Sequence, residues 1–81
     1  MTKTIHIHYY ALLREERGLS KETLTTAAKT VRDLYMELQR QYKFRLSTDL
    51  LRVAGNDEFK NWSTVLKTND QVVFIPPVAG G

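Results

Sequence analysis

The sequence predicts an α+β domain in which four to five strands form one sheet folded over one main helix. Three observations predict it. Residues 3–9 alternate with the period of a strand, residues 31–42 carry apolar side chains at spacings of three and four, and the run Gln71-Val72-Val73-Phe74-Ile75 is closed by Pro76 and Pro77.

In the first segment Ile5, Ile7 and Tyr9 fall on one face and His6 and His8 on the other. Ala11 to Arg17 has helical texture and stops at Gly18, a residue suited to the left-handed helix end. Residues 21–26, rich in threonine, read as a second strand pairing with the first. Thr30 is placed as an N-cap with Asp33 in the first turn. The stripe Val31, Leu34, Tyr35, Leu38 and Tyr42 then turns one helix face to a core, leaving Arg32, Glu37 and Arg40 towards water. Residues 50–54 read as a strand, Gly55-Asn56-Asp57 as its turn, and Glu58 to Trp62 as a short return strand. Val65 and Leu66 are apolar anchors before the turn Thr68-Asn69-Asp70, and Gln71–Ile75 is the last strand. Residues 1–75 thus form a single domain, and residues 76–81 a flexible C-terminal tail.

At 81 residues the chain holds one domain with a modest core and little room for a deep cleft. It contains no cysteine, which excludes disulfides, thiolate metal sites and a cysteine nucleophile. The N-terminal residues lack an apolar signal region, and no apolar run reaches bilayer length. A soluble, cytoplasmic protein with no membrane partner is expected. The net charge of +3 comes from bases scattered between Lys3 and Lys67. Their densest cluster, Arg40, Lys43 and Arg45 interleaved with Tyr42 and Phe44, has the makings of a basic RNA-binding module; the simpler reading is a solvated helix end, with no nucleic-acid partner.

After Pro77 the side chains shrink through Val78 and Ala79 to Gly80 and Gly81. Two prolines stiffen the exit, and two glycines lacking Cβ pass a channel closed to bulkier residues. Extended, residues 76–81 reach at most roughly 20 Å. A terminal α-carboxylate, ionised at pH 7, is a weak nucleophile that adenylation by ATP activates. Displacement of AMP by a sulfur donor would leave a thiocarboxylate, and a side chain beside the reacting carbon would hinder both steps.

Asn69 to Gly81 resembles the closing signature of the small subunit of molybdopterin synthase, the MoaD family of ubiquitin-like sulfur carriers. Tyr9-Tyr10-Ala11-Leu12-Leu13-Arg14-Glu15 is similar to that family's aromatic-aromatic-alanine segment, and Val53 to Phe59 to its strand and turn. The resemblance spans essentially the whole chain. It implies a β-grasp fold with a mixed sheet, and a carrier that is no enzyme on its own. Gly81, with Gly80 beside it, would be the reacting terminus. An E1-like adenylyltransferase would use ATP on Gly81, with no cofactor bound permanently, and a sulfurtransferase would supply the sulfur. The thiocarboxylate would then enter the large synthase subunit of a heterotetramer and give its sulfur to a cyclic pyranopterin. Gly55 departs from the resemblance, standing where a bulkier strand residue is more usual, and from this departure a bulge is expected in that hairpin. The pI of about 9.4 is higher than the resemblance leads one to expect.

The resemblance also leaves room for a carrier serving thiamine thiazole or tRNA thiolation, and for a ubiquitin-like modifier joined to lysines. If Val72 and Phe74 face the core, Val73 and Ile75 are apolar on the opposite, nominally solvated face. Val73, Ile75, Pro76, Pro77, Val78 and Ala79 are therefore the expected partner-binding residues, with Ile75 as anchor. His6 and His8 share a face but lack a third metal ligand, so no metal site is expected. Trp62 reads as a core or rim aromatic, Arg14 and Lys67 as surface charges, and Ser20, Ser47 and Ser63 have no relay partners.

Overall fold

The computed structural model describes residues 2–77. Along the chain run β1 (Lys3–Tyr9), α1 (Ala11–Arg17), β2 (Lys21–Thr26), α2 (Val31–Tyr42), a 3-10 turn at Thr48–Leu50, β3 (Arg52–Gly55), β4 (Glu58–Lys60) and β5 (Gln71–Ile75). The five strands form one mixed sheet in the order β2-β1-β5-β3-β4. Only the central pair β1–β5 is parallel; β1–β2, β3–β5 and β3–β4 are antiparallel. This is the β-grasp, ubiquitin-like architecture, with α2 against one face of the sheet.

The period-2 pattern sets that face. Ile5, Ile7, Tyr9, Val53, Val72 and Phe74 are buried, and they meet Val31, Leu34, Tyr35 and Leu38 of α2. Aromatic rings fill the middle. Phe74 lies 5.1 Å from Tyr35, 6.1 Å from Trp62 and 6.4 Å from Tyr9, and Phe44 closes the cluster 5.8 Å from Tyr9. The Tyr35 hydroxyl donates to the Leu46 carbonyl at 2.6 Å, and burial, with a smaller contribution from Glu16, pushes its pKa up to about 12.

The N-terminus of α2 is satisfied as its sequence requires. Thr30 Oγ1 accepts from the Asp33 amide at 3.2 Å. Two further amides, of Val31 and Arg32, donate to the carbonyls of Thr64 and Trp62. The segment after β4 is therefore a strap over the helix start rather than a longer strand, and the expected return strand to Trp62 stops at Lys60. On this strap Leu66 is buried but Val65 is 63% exposed, so only one of the two expected anchors holds. Glu37 differs as well. It is half-buried and accepts from the Thr26 hydroxyl at 2.7 Å, because β2 passes alongside the helix.

The β3–β4 hairpin carries no bulge. Val53, Ala54 and Gly55 pair in unbroken register with Lys60, Phe59 and Glu58. Gly55 belongs to the strand, and the turn is Asn56-Asp57 with φ of 52° and 71°, the two-residue connection whose twist suits a hairpin. What requires glycine at 55 is the neighbour. A Cβ there would collide with the Gln71 carbonyl oxygen of β5. The strand also starts at Arg52, since residues 48–50 coil into the 3-10 turn and leave Leu50 exposed.

A polar network ties α1 to the sheet edge. Arg17 donates through Nε and Nη2 to both Glu22 oxygens at 2.9 Å, the Tyr9 hydroxyl donates to Glu22 at 2.6 Å, and the guanidinium lies 4.0 Å from the Tyr42 ring centroid. The Arg17 hydrogen bonds hold the Glu22 carboxyl below the usual range, against the opposing effect of its burial. A depressed carboxylate stabilises the fold fully above its unfolded pKa of about 4.3, and this contribution is lost as pH falls through the lower folded value. Glu22→Gln is thus expected to cost about 1–3 kcal/mol at pH 7 and to flatten the acid side of the stability curve. Urea titrations between pH 2 and pH 7 check this, and parallel curves for the two proteins would count against it.

Candidate functional site

The sheet face away from α2 carries Thr4, His6 and His8 from β1, Lys21, Thr23 and Thr25 from β2, Val73 and Ile75 from β5, Arg52 and Ala54 from β3, and Phe59 from β4. No further layer of the described chain covers it, so the alternation that buries Val72 and Phe74 leaves Val73 and Ile75 half-exposed there. Register aligns one row straight across the sheet, Phe59–Ala54–Val73–His8–Lys21, with Ile75 two residues further along β5 and opposite Arg52. The row is apolar at the β4 side and basic at the β2 side.

Phe59 is the residue sequence reasoning missed. It is 71% exposed, the most open large hydrophobic residue described. Its signal was present in the alternation Glu58-Phe59-Lys60, where a lone aromatic between two charges on an edge strand has no reason of packing to be there. Lys60 bonds Glu58 at 2.7 Å along the same strand, so the two charges neutralise each other on the face opposite to the ring.

At the end of β5 the chain passes from the half-exposed Ile75 through buried Pro76 to exposed Pro77. β5 is the middle strand of five, so this exit lies at the centre of one sheet end and not at an edge. Beside it is an open groove of about 470 Å³ lined by Tyr10, Ala11, Leu12, Leu46 and Ile75 to Pro77. Val78, Ala79, Gly80 and Gly81, the expected reactive tip, lie outside the described residues.

The remaining candidates take structural or surface positions. His6 and His8 lie on the open face, His6 Nδ1 is 2.9 Å from the Thr23 hydroxyl, and no cluster of three metal-ligating side chains occurs among the described residues. The basic-aromatic cluster does not form a stacking platform. Phe44 is buried in the core, Tyr42 is covered by Arg17, Lys43 forms the left-handed end of α2, and Arg45 reaches Glu16 at 3.4 Å. Trp62 is a rim aromatic, stacked on Phe74. No helix among the described residues is long and apolar enough to cross a membrane.

Residues 7–81 match the sequence model of the ThiS family. No curated protein matches the sequence. Among solved structures, the chain is similar to the HVO 2177 protein of Haloferax volcanii, with 26% identity, a TM-score of 0.81, and coverage of 99% of this chain and 88% of that one. It is also similar to a Pyrococcus furiosus protein assigned as molybdopterin converting factor, subunit 1, with 27% identity, a TM-score of 0.77, and coverage of 94% and 99%. With SAMP1 of Haloferax volcanii it shares the fold, at 20% identity, a TM-score of 0.78, and coverage of 96% and 99%.

Proposed function

This chain belongs to the ThiS family, and we propose that within it the chain is the sulfur-carrier subunit of a molybdopterin synthase, working through a thiocarboxylate on Gly81. The observation that carries this reading is the course of β5. The central strand, apolar on its open side at Val73 and Ile75, runs through Pro76 and Pro77 directly into Val78-Ala79-Gly80-Gly81. A rigid body and a narrow tip suit a carrier that delivers one small group into another protein's site. The 27% identical Pyrococcus furiosus protein, matched over nearly the whole of both chains, supports the choice of molybdopterin over the other sulfurated products.

The chemistry needs no residue of this chain beyond its end. A Gly81 carboxylate oxygen attacks the α-phosphorus of ATP on an adenylyltransferase, and pyrophosphate leaves. Hydrosulfide, delivered by a sulfurtransferase, attacks the acyl carbon; AMP departs and a proton goes to solvent, leaving the ionised thiocarboxylate. In the large synthase subunit that sulfur attacks a ring carbon of the cyclic pyranopterin, and the bond from that carbon to the cyclic phosphate's ester oxygen breaks, the phosphate keeping the electron pair. A second carrier supplies the other sulfur of the dithiolene, a hydroxyl leaving as water. Water then cleaves the acyl–sulfur bond and restores the carboxylate of Gly81. Gly80 leaves the approach to the acyl carbon unobstructed, while Ile75, Val73, Pro76, Pro77, Val78 and Ala79 engage the partner, two carriers to a large-subunit dimer.

Reconstitution tests this. Thiocarboxylated protein mixed with the large subunit and cyclic pyranopterin should lose its sulfur and yield the dithiolene. A thiocarboxylate that persists there, with Gly81 joined to lysines in lysate, would replace the carrier by a modifier. Ile75→Lys is expected to weaken large-subunit binding at least about tenfold, because it places a charge in the desolvated centre of the contact. Unchanged affinity in titration calorimetry would move the docking surface off this face.

A further inference from the structure

A tip of two glycines carries no address. Gly80 and Gly81 have no side chains, so discrimination between this chain and another with the same ending falls to the folded body. The charges of that body are unevenly placed. The open sheet face bears Lys21 and Arg52, both exposed, together with His6 and His8, and it bears no carboxylate. All nine Asp and Glu residues lie elsewhere: on α1 and α2, on the helix side of β2 and β4, or in turns and loops. Other cations are paired, Arg17 with Glu22, Arg45 with Glu16 and Lys60 with Glu58. Lys21 and Arg52 form no ion pair among the described residues.

Their positions give the two cations a use. In the order β2-β1-β5-β3-β4, Lys21 lies two strands to one side of Val73, and Arg52 lies one strand to the other side of Ile75. Strand spacing sets them about 10 Å and about 5 Å from β5. They frame the apolar strip of β5 without interrupting it. A second copy of this chain is a poor occupant, since a two-fold contact would set two cationic faces together with no acid on either. A protein surface with an apolar centre and carboxylates on both flanks matches the strip and its frame at once.

Resting on the reading of this chain as a carrier for the large synthase subunit, we propose that the docking surface of that subunit is acidic on both flanks of its apolar centre, and that Lys21 and Arg52 are the residues by which it selects this carrier. The apolar strip supplies the hold, and the cations supply the choice and the speed of encounter. A carrier with the same Gly-Gly end but acids at these two positions is turned away by repulsion. The positive net charge of the chain, unexpected from the resemblance, has its use here.

Stopped-flow association with the large synthase subunit of the same cell, in about 50 mM and about 500 mM NaCl, tests this. The wild-type rate should fall at least about tenfold between the two. Lys21→Glu/Arg52→Glu should associate at least about 30-fold more slowly at low salt, and faster at high salt than at low. Its melting temperature should stay within about 3 °C of the wild type, because both side chains are exposed. Lys29→Glu/Arg40→Glu makes the same change of net charge at exposed positions of the α2 side and should slow association less than about threefold. Open-face variant rates within about twofold of wild type, or an equal fall for the two double variants, overturn the acidic docking surface and leave the thiocarboxylate on Gly81 standing. Salt-insensitive docking of the wild type, together with capture of oligouridine RNA that the Lys21→Glu/Arg52→Glu change abolishes, would make the face a nucleic-acid surface instead. A large subunit that does not bind the wild-type protein overturns the carrier reading and this inference with it.

Discussion

Removal of Gly81 is expected to lower thiocarboxylate formation by at least about 100-fold while leaving the thermal midpoint within roughly 3 °C of the wild type. The truncated chain still ends in a glycine carboxylate, that of Gly80, so the chemistry of the group is unchanged. What changes is its place. The reacting carbon retreats by one residue, roughly 3.5 Å, and misplacement by 1 Å alone can cost about two orders of magnitude in rate. Stability is spared because the core is closed without the tail: its aromatic centre is made by Tyr9, Tyr35, Phe44, Trp62 and Phe74. Pyrophosphate release and intact mass measure the first effect, and differential scanning calorimetry the second. A truncated protein that is sulfurated at the wild-type rate would detach function from the tip.

Phe74→Ala is expected to produce the largest loss of stability, about 3–5 kcal/mol. Phe74 is fully buried on the central strand and touches three other aromatic rings, so a cavity there cannot collapse without moving Tyr9, Tyr35 or Trp62. For a chain of 81 residues total stability is roughly 4–12 kcal/mol, so the variant is left marginal or unfolded at 37 °C. The consequence reaches function through geometry. β5 presents Val73 and Ile75 on one side and is held by Phe74 on the other, and the tail is its continuation. A melting temperature lowered by at least about 12 °C, with weaker docking even below the midpoint, is the expected pair of results. A loss under about 1 kcal/mol would show that the aromatic cluster is not what fixes the strand.

Most of the fold was legible because its signals are local. β1, α1, β2, α2 and β5 have the extents that alternation, helical spacing, the Thr30 cap and the glycine and proline stops indicate. The misreadings fall where neighbours distant in sequence decide. Gly55 resembles a turn or bulge residue, yet it is a strand residue whose missing Cβ admits the Gln71 carbonyl from β5. Glu58 to Trp62 reads as one return strand, yet it stops at Lys60, because the free amides of Val31 and Arg32 draw the carbonyls of Trp62 and Thr64 into a strap on the helix. Glu37 sits on the helix side that spacing assigns to water, and only β2 supplies its partner Thr26.

The site divides in the same way. Val73 and Ile75 were visible as apolar residues out of phase with the buried set, since strand period alone fixes their face. Phe59 showed only as an aromatic between two charges; the face it takes, opposite Ala54, is specified by the hairpin register, which depends on the Asn56-Asp57 turn. Tyr10 appeared only as part of a family-like segment. Its exposure follows from β1 ending at Tyr9 and α1 starting at Ala11 with a positive φ, a backbone turn that composition does not announce.

Mass spectrometry of the protein after incubation with ATP, the activating enzyme and sulfide tests the delivery of Gly81 most directly. The intact chain should gain the mass of one sulfur-for-oxygen exchange, and proteolysis should place the whole gain on the peptide ending Val78-Ala79-Gly80-Gly81. A protein that consumes no ATP and keeps its mass, or one whose added sulfur sits on any other peptide, would contradict the assignment of Gly81 as the working residue.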